Sequence, residues 1–296
     1  MRYNLILQLL GLQLVVNMAA SKCAHQIFCP PHTKHVMCAF TKKFNKRCGA
    51  GKFELIPIDG DLKDNLLTHV NMMRSLVASG LYDFPPAARM ATLMWDESLA
   101  SSSRTLAYHC DSRGKYCSNT MEFNFVSTVE ISLRMHPTST VKLIFDDLVN
   151  IWLRDVLGCR MNEQSKLVPS VPGTNTCLGH HTALLEDYAT RIGCALRASR
   201  NAKKLFISAA LVCNLNRANV NELTPYQISL IPASGCQKGR NYIHEFLCKP
   251  DEEVDNNYVP SQTEAEFRNL MMLQSANYAR QIESIYPTIN NITKIL

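Results

Sequence analysis

Twelve cysteines, at 23, 29, 38, 48, 110, 117, 159, 177, 194, 213, 236 and 248, constrain this chain of 296 residues more than any other feature. Their number is even, and none falls within the first twenty residues. In an oxidising compartment such a count implies a disulfide framework. Zinc is the rival use, but no CxxC pair occurs and the spacings resemble no zinc ribbon. Residue count alone leaves the connectivity open.

The N-terminus supplies the compartment. MRYNLILQLLGLQLVVNMAA has an early Arg2, an apolar stretch from Leu5 to Val16, and small residues at Ala19, Ala20 and Ser21. That order reads as a secretory signal peptide over residues 1–20, with cleavage near Ala20 or Ser21. The apolar run falls short of the roughly 20 residues that a membrane span needs, and no later stretch reaches that length. A soluble, secreted, extracellular protein is the expectation.

Four regions follow. Residues 21–54 hold four cysteines and few helix signals, and read as a stapled hook. Residues 55–218 mix helical and strand-like patterns. Asp61–Val77 places Leu62, Leu66, Val70, Met73 and Val77 at helical spacing; Trp95–Cys110 and Val141–Leu157 read as two further helices. Ile192–Arg197 and Leu205–Asn214 read as strands. Residues 219–250 read as a looser extension with its own pair, Cys236 and Cys248. Within 251–296, residues 251–261 read as a polar linker and Thr263–Ile285 as a helix with an apolar stripe. Mixed helices and strands predict an α+β sandwich. The net charge of +6 reads as modest and spread along the chain, which gives nucleic-acid binding little support and allows only a weak, non-specific attraction to acidic surfaces.

Six ordered segments carry a family resemblance. Gly179–Cys194, GHHTALLEDYATRIGC, resembles the signature GHFTQ…xGC of the CAP superfamily (cysteine-rich secretory proteins, antigen 5, plant pathogenesis-related 1). Leu211–Asn214 (LVCN) is similar to the second signature, VCNY. Asn71–Arg74 with Ala78 and Gly80 resembles the first-helix pattern HNxxRxxxAxG, and Ala88–Ala100 is similar to the MxxLxWDxxLA segment of insect antigen 5 proteins. Cys117–Phe123 resembles CRNTxxF, and Trp152–Asp155 stands where the family has WxxE. The resemblance implies a three-layer α-β-α sandwich with a disulfide-stapled N-terminal hook and a C-terminal helical extension. By likeness to antigen 5 it implies the bridges Cys23–Cys38, Cys29–Cys117, Cys48–Cys110 and Cys194–Cys213, with Cys159–Cys177 and Cys236–Cys248 as the remainder.

The resemblance also implies a cleft of two His and two acidic side chains, which binds a divalent metal in some members. Carried over, its positions fall on Val70, Thr128, Asp155 and His180, so one imidazole and a shortened carboxylate remain. His180 and Asp155 are weak metal candidates, and no cofactor is expected. His69 lies about 100° around the helix from Val70, and Glu130, if on a strand, about 7 Å beyond Thr128. His181 and Ala183 replace the family's Phe and Gln. The serines at 101–103 form a cluster inside a helix, without a GxSxG elbow or HExxH motif, so no catalysis is expected. Asn291-Ile292-Thr293 is a glycosylation acceptor. The resemblance implies a non-catalytic antigen 5-like protein that recognises an extracellular protein or cell surface. Seminal fluid is the preferred setting over saliva. A sterol or lipid carrier is the alternative, and a metal-dependent site ranks third.

Overall fold

The computed structural model describes residues 23–258 apart from 32, 49–50, 111–115, 175–176, 178–180, 201–205 and 220–223. The expected leader, His180, the 263–285 helix and Asn291 lie outside the described residues. Nine strands and three α-helices are described: β1 (Lys34–His35), β2 (Lys52–Ile56), α1 (Gly60–Ala78), β3 (Met94–Trp95), α2 (Glu97–His109), β4 (Tyr116–Cys117), β5 (Ser127–Met135), α3 (Val141–Leu157), β6 (Cys159–Met161), β7 (Leu167–Pro169), β8 (Arg191–Arg200) and β9 (Ile207–Leu215). Among the described residues no helix is long and apolar enough to cross a membrane.

Local chemistry sets the helix ends. The Asp96 carboxylate accepts the Leu99 N–H at 2.8 Å and starts α2; the Thr140 hydroxyl accepts the Leu143 N–H at 3.2 Å and starts α3. Just beyond α1, Gly80 takes φ +92°, a left-handed turn at which an added Cβ would lie 2.8 Å from Pro86. The central sheet runs β2-β8-β9-β5, with β3 pairing β8 in parallel beyond β2. One face buries Val129, Ile131, Leu196, Leu211 and Leu215 against α1 and α3. The other presents Ala195 and Val212 to Leu106 and Ala107 of α2 and to Val36 of the hook. The result is a three-layer α-β-α sandwich.

Six disulfides link Cys23–Cys38, Cys29–Cys117, Cys48–Cys110, Cys159–Cys177, Cys194–Cys213 and Cys236–Cys248. Three tie the hook to itself, to β4 and to the end of α2. Cys194 and Cys213 stand directly opposite one another on β8 and β9. Inside the hook, buried His35 accepts the Met37 N–H at Nδ1 and bonds Asn119 O through Nε2 at 2.7 Å.

Two readings by composition are corrected. Residues 224–250 are not loose. Ala88 N–H donates to Gln227 O at 2.7 Å, Gly235 N–H to Ala88 O at 2.7 Å and Cys248 N–H to Met90 O at 2.8 Å, while Tyr226 and Leu247 enter the main core. Nor are residues 251–258 a free linker. The Glu252 carboxylate accepts the Gln237 and Lys238 N–H groups at 2.8 Å each, and Asn257 Oδ1 accepts the Asn124 N–H at 2.8 Å. Polar side chains that suggest a linker here satisfy backbone groups instead.

Gly193 explains the glycine that precedes Cys194. A Cβ there would fall 2.2 Å from Ala100 N and 2.5 Å from Asp96 O, both backbone atoms of the α2 start. Gly193→Ala must lift α2 from the sheet, at a cost of about 2 kcal/mol or more. The expected outcome is a melting temperature lower by about 5 °C or more in calorimetry; an unchanged midpoint would show that α2 does not sit this close.

Candidate functional site

The candidate site lies where α1, α3 and the 3-10 turn His181–Leu185 meet. Its frame comes from α1. Asn71 clamps Leu93 from both sides: its Oδ1 accepts the Leu93 N–H at 2.8 Å and its Nδ2 donates to Leu93 O at 2.9 Å. Arg74 is fully buried. Its Nε and Nη2 donate to Ala91 O, Nη1 donates to Leu184 O and Glu186 O, and Nη2 also donates to Ala189 O. All five guanidinium N–H groups are thereby matched to main-chain carbonyls. Burial pulls the Arg74 pKa down to about 10, which leaves it charged at neutral pH.

Counter-charge lies beside it. Glu186 and Asp187 are both buried, and Arg217 Nε stands 3.5 Å from Glu186 Oε1. Burial holds Glu186 well above the usual carboxylate range, and it raises Asp187 to about 6 even though Asp187 Oδ2 accepts the Gln227 N–H at 3.2 Å. Arg217 also lies over the rings of Phe125 and Tyr188, at 5.0 and 5.5 Å. This pairing is a structural joint; it presents no open face to a substrate.

The four cleft positions do not assemble as the resemblance implies. Val70 is buried in the apolar core and offers no ligand atom. Asp155, on α3, is bound instead to His181: its Oδ2 lies 2.7 Å from His181 Nδ1, with the side chains 13% and 9% exposed. Trp152, one turn earlier on α3, donates its Nε1–H to His181 O at 3.0 Å, so both ring and backbone of His181 are held. The resemblance implies only that His181 replaces the family's Phe; the structure adds its pairing with Asp155. His180 lies outside the described residues.

Thr128 faces the wrong way for the cleft. Its hydroxyl donates to Asn214 Oδ1 at 2.6 Å, and Asn214 Nδ2 donates to Ser102 Oγ of α2 at 2.8 Å. On β5 the residues turned toward α1 and α3 include Val129 and Ile131, so alternation gives that face to Ser127 and removes Thr128 from it. Glu130, on the same face as Thr128, pairs with Arg197 at 2.5 Å. His69 Nδ1 is bonded to Asn65 O of its own helix at 2.8 Å.

Chemically, the site as described is one imidazole–carboxylate pair. Among the described residues no group of three or more His, Cys, Asp or Glu is placed to hold a metal ion. Ser102 and Ser103 are buried on the α2 side of the sheet, where Ser103 Oγ donates to Gly193 O at 2.7 Å. They do not meet the Asp155–His181 pair. All twelve cysteines are in disulfides.

Comparison with known proteins adds the family. Residues 67–215 match the model described as CAP, the cysteine-rich secretory protein family. Venom allergen-1 of Aedes aegypti is 29% identical over 221 residues, covering 74% of this chain and 84% of that protein. Tabinhibitin 3 of Tabanus yao is 30% identical over 235 residues, covering 78% of this chain and 88% of that protein. Among solved structures, Schistosoma mansoni venom allergen-like protein 4 aligns with a TM-score of 0.40 and 19% identity, over 60% of this chain and 100% of that one.

Asp187 makes the buried charges measurable. With its pKa raised from 3.8 to about 6, the native state holds a proton that the unfolded chain releases. The stability tied to this group is complete below about pH 4 and lost as pH rises through about 6, by up to about 3 kcal/mol. Asp187→Asn keeps an acceptor for Gln227 and removes the titration. Urea unfolding of both proteins should show the variant gaining on the native protein between pH 4 and pH 7; a constant difference would refute the assignment.

Proposed function

The chain belongs to the CAP (cysteine-rich secretory protein) family, and from that premise we propose that it is a secreted, non-catalytic, antigen 5-like protein that acts by recognising an extracellular partner through its surface. The observation that carries this reading is the cleft. Val70 fills one position with an apolar side chain, Thr128 is turned to the other side of the sheet, and Asp155 is committed to His181. A hydrolase needs a nucleophile with a base in reach, or a metal-activated water. The side chains at these positions are built into the packing instead.

Secretion is supported by the N-terminal leader pattern and by twelve paired cysteines, a framework suited to an oxidising compartment. Six covalent links around a close-packed sandwich give a rigid body, which keeps the ordering cost of surface recognition low. Seminal fluid, preferred to saliva, is the proposed setting; protein abundance in the two fluids decides between them.

Capture from the native fluid tests the recognition role. Since residues 251–258 pack on the sandwich, the informative truncation removes 259–296 and ends at Tyr258. The full chain and the truncated one are each immobilised and exposed to the fluid. A saturable partner retained by at least one form is the expected result. Capture by neither form, together with hydrolytic turnover by the purified protein, would overturn the proposal.

A further inference from the structure

The net charge is not evenly spread. Between Ser21 and Phe53 the sequence carries Lys22, Lys34, Lys42, Lys43, Lys46, Arg47 and Lys52 with no carboxylate, which exceeds the whole-chain net of +6. Four of these cations lie within six consecutive residues, Lys42-Lys43-Phe44-Asn45-Lys46-Arg47, and all four are exposed.

The loop that carries them is fixed. The Phe44 ring packs 4.8 Å from Tyr108 of α2 and 5.4 Å from Phe53 of β2. Asn45 N–H donates to Tyr108 O at 2.9 Å. Around this anchor, the Thr41 hydroxyl accepts the Lys43 N–H at 3.0 Å, and Asn45 Oδ1 accepts the Arg47 N–H at 3.0 Å. Cys48 then closes the loop onto Cys110. Two adjacent pairs of cations therefore flank an aromatic anchor and a disulfide.

We propose that this hook loop, Lys42 to Arg47, is a binding site for sulfated polysaccharide, the polyanion class of cell surfaces and extracellular matrix. The assignment deepens the recognition role above and rests on its extracellular setting. The argument is one of valence. A single exposed ion pair contributes little in water, so a small anion gains little from any one of these side chains. A repeating polyanion engages several cations at once, so that each further contact is intramolecular. Sulfate oxygens are strong acceptors for ammonium and guanidinium donors, and short Lys/Arg-rich runs are the corresponding sequence feature. Single-stranded nucleic acid is disfavoured because the loop's one ring, Phe44, is packed against Tyr108 and Phe53 and is not offered for base stacking.

The test uses the full chain on immobilised heparin, eluted with sodium chloride. Wild-type protein should be retained above physiological ionic strength, about 0.15 M. The quadruple variant Lys42→Gln/Lys43→Gln/Lys46→Gln/Arg47→Gln should elute below it. A control that removes two exposed charges elsewhere, Lys142→Gln/Arg160→Gln, should elute close to wild type. Binding of a heparin oligosaccharide should weaken at least about tenfold in the quadruple variant, and desulfated heparin should not be retained. Intact-mass analysis showing six disulfides, with an unchanged near-ultraviolet spectrum, establishes that the variant is folded. Equal elution of the quadruple variant and wild type overturns the proposal, as does equal retention on DNA or on phosphatidylserine vesicles. Heparin retention lost while protein capture persists removes this inference alone; capture lost while heparin retention persists removes only the protein-recognition reading.

Discussion

One buried guanidinium organises the half of the molecule that carries the cleft. Arg74 leaves α1 and gathers carbonyls from residue 91 and from residues 184, 186 and 189, segments more than ninety residues apart in sequence. A charge in that position is costly to desolvate, and it is held only because every donor is matched and two carboxylates stand nearby. Removing it would leave those carbonyls buried without partners, each at a cost of about 1–3 kcal/mol. The 3-10 turn that positions His181 and the segment that receives the C-terminal extension both take their place from this residue.

Sheet parity decides the fate of the cleft. Side chains on a strand alternate between faces, so an assignment off by one residue exchanges the two sides of the sandwich. Thr128 belongs with Asn214 and Ser102 under α2, whereas Ser127 shares the face of Val129. The Asp155–His181 pair shows the other side of the same problem. A residue classed as a substitution for Phe supplies the partner that a lone carboxylate on α3 needs when nearly buried.

Much of the fold was legible in the sequence. Apolar residues at helical spacing mark α1, α2 and α3, and the ordered family segments imply the sandwich and a set of pairings that composition cannot choose. The edge strand β5 was read only conditionally, although the alternation of Val129, Ile131, Leu133 and Met135 is the signal for it. Over residues 224–258, Asn, Glu and Gly suggest loose chain by composition. Whether their polar groups meet water or the backbone of residues 86–92 is a tertiary fact. The basic run at 42–47 escapes a whole-chain charge total, which does not show where cations cluster.

The hook's bridges also impose an order in time. Cys23 and Cys38 are 15 residues apart and can meet as soon as that stretch is made, whereas Cys48 waits 62 residues for Cys110 and Cys29 waits 88 for Cys117. Closing a short loop is entropically cheaper than closing a long one, and synthesis delivers the N-terminal end first. The first segment to emerge is thus fully locked only after α2 has been made. Until then Cys29 and Cys48 travel as unpaired thiols, and the early Cys23–Cys38 link keeps Cys38 from capturing either of them.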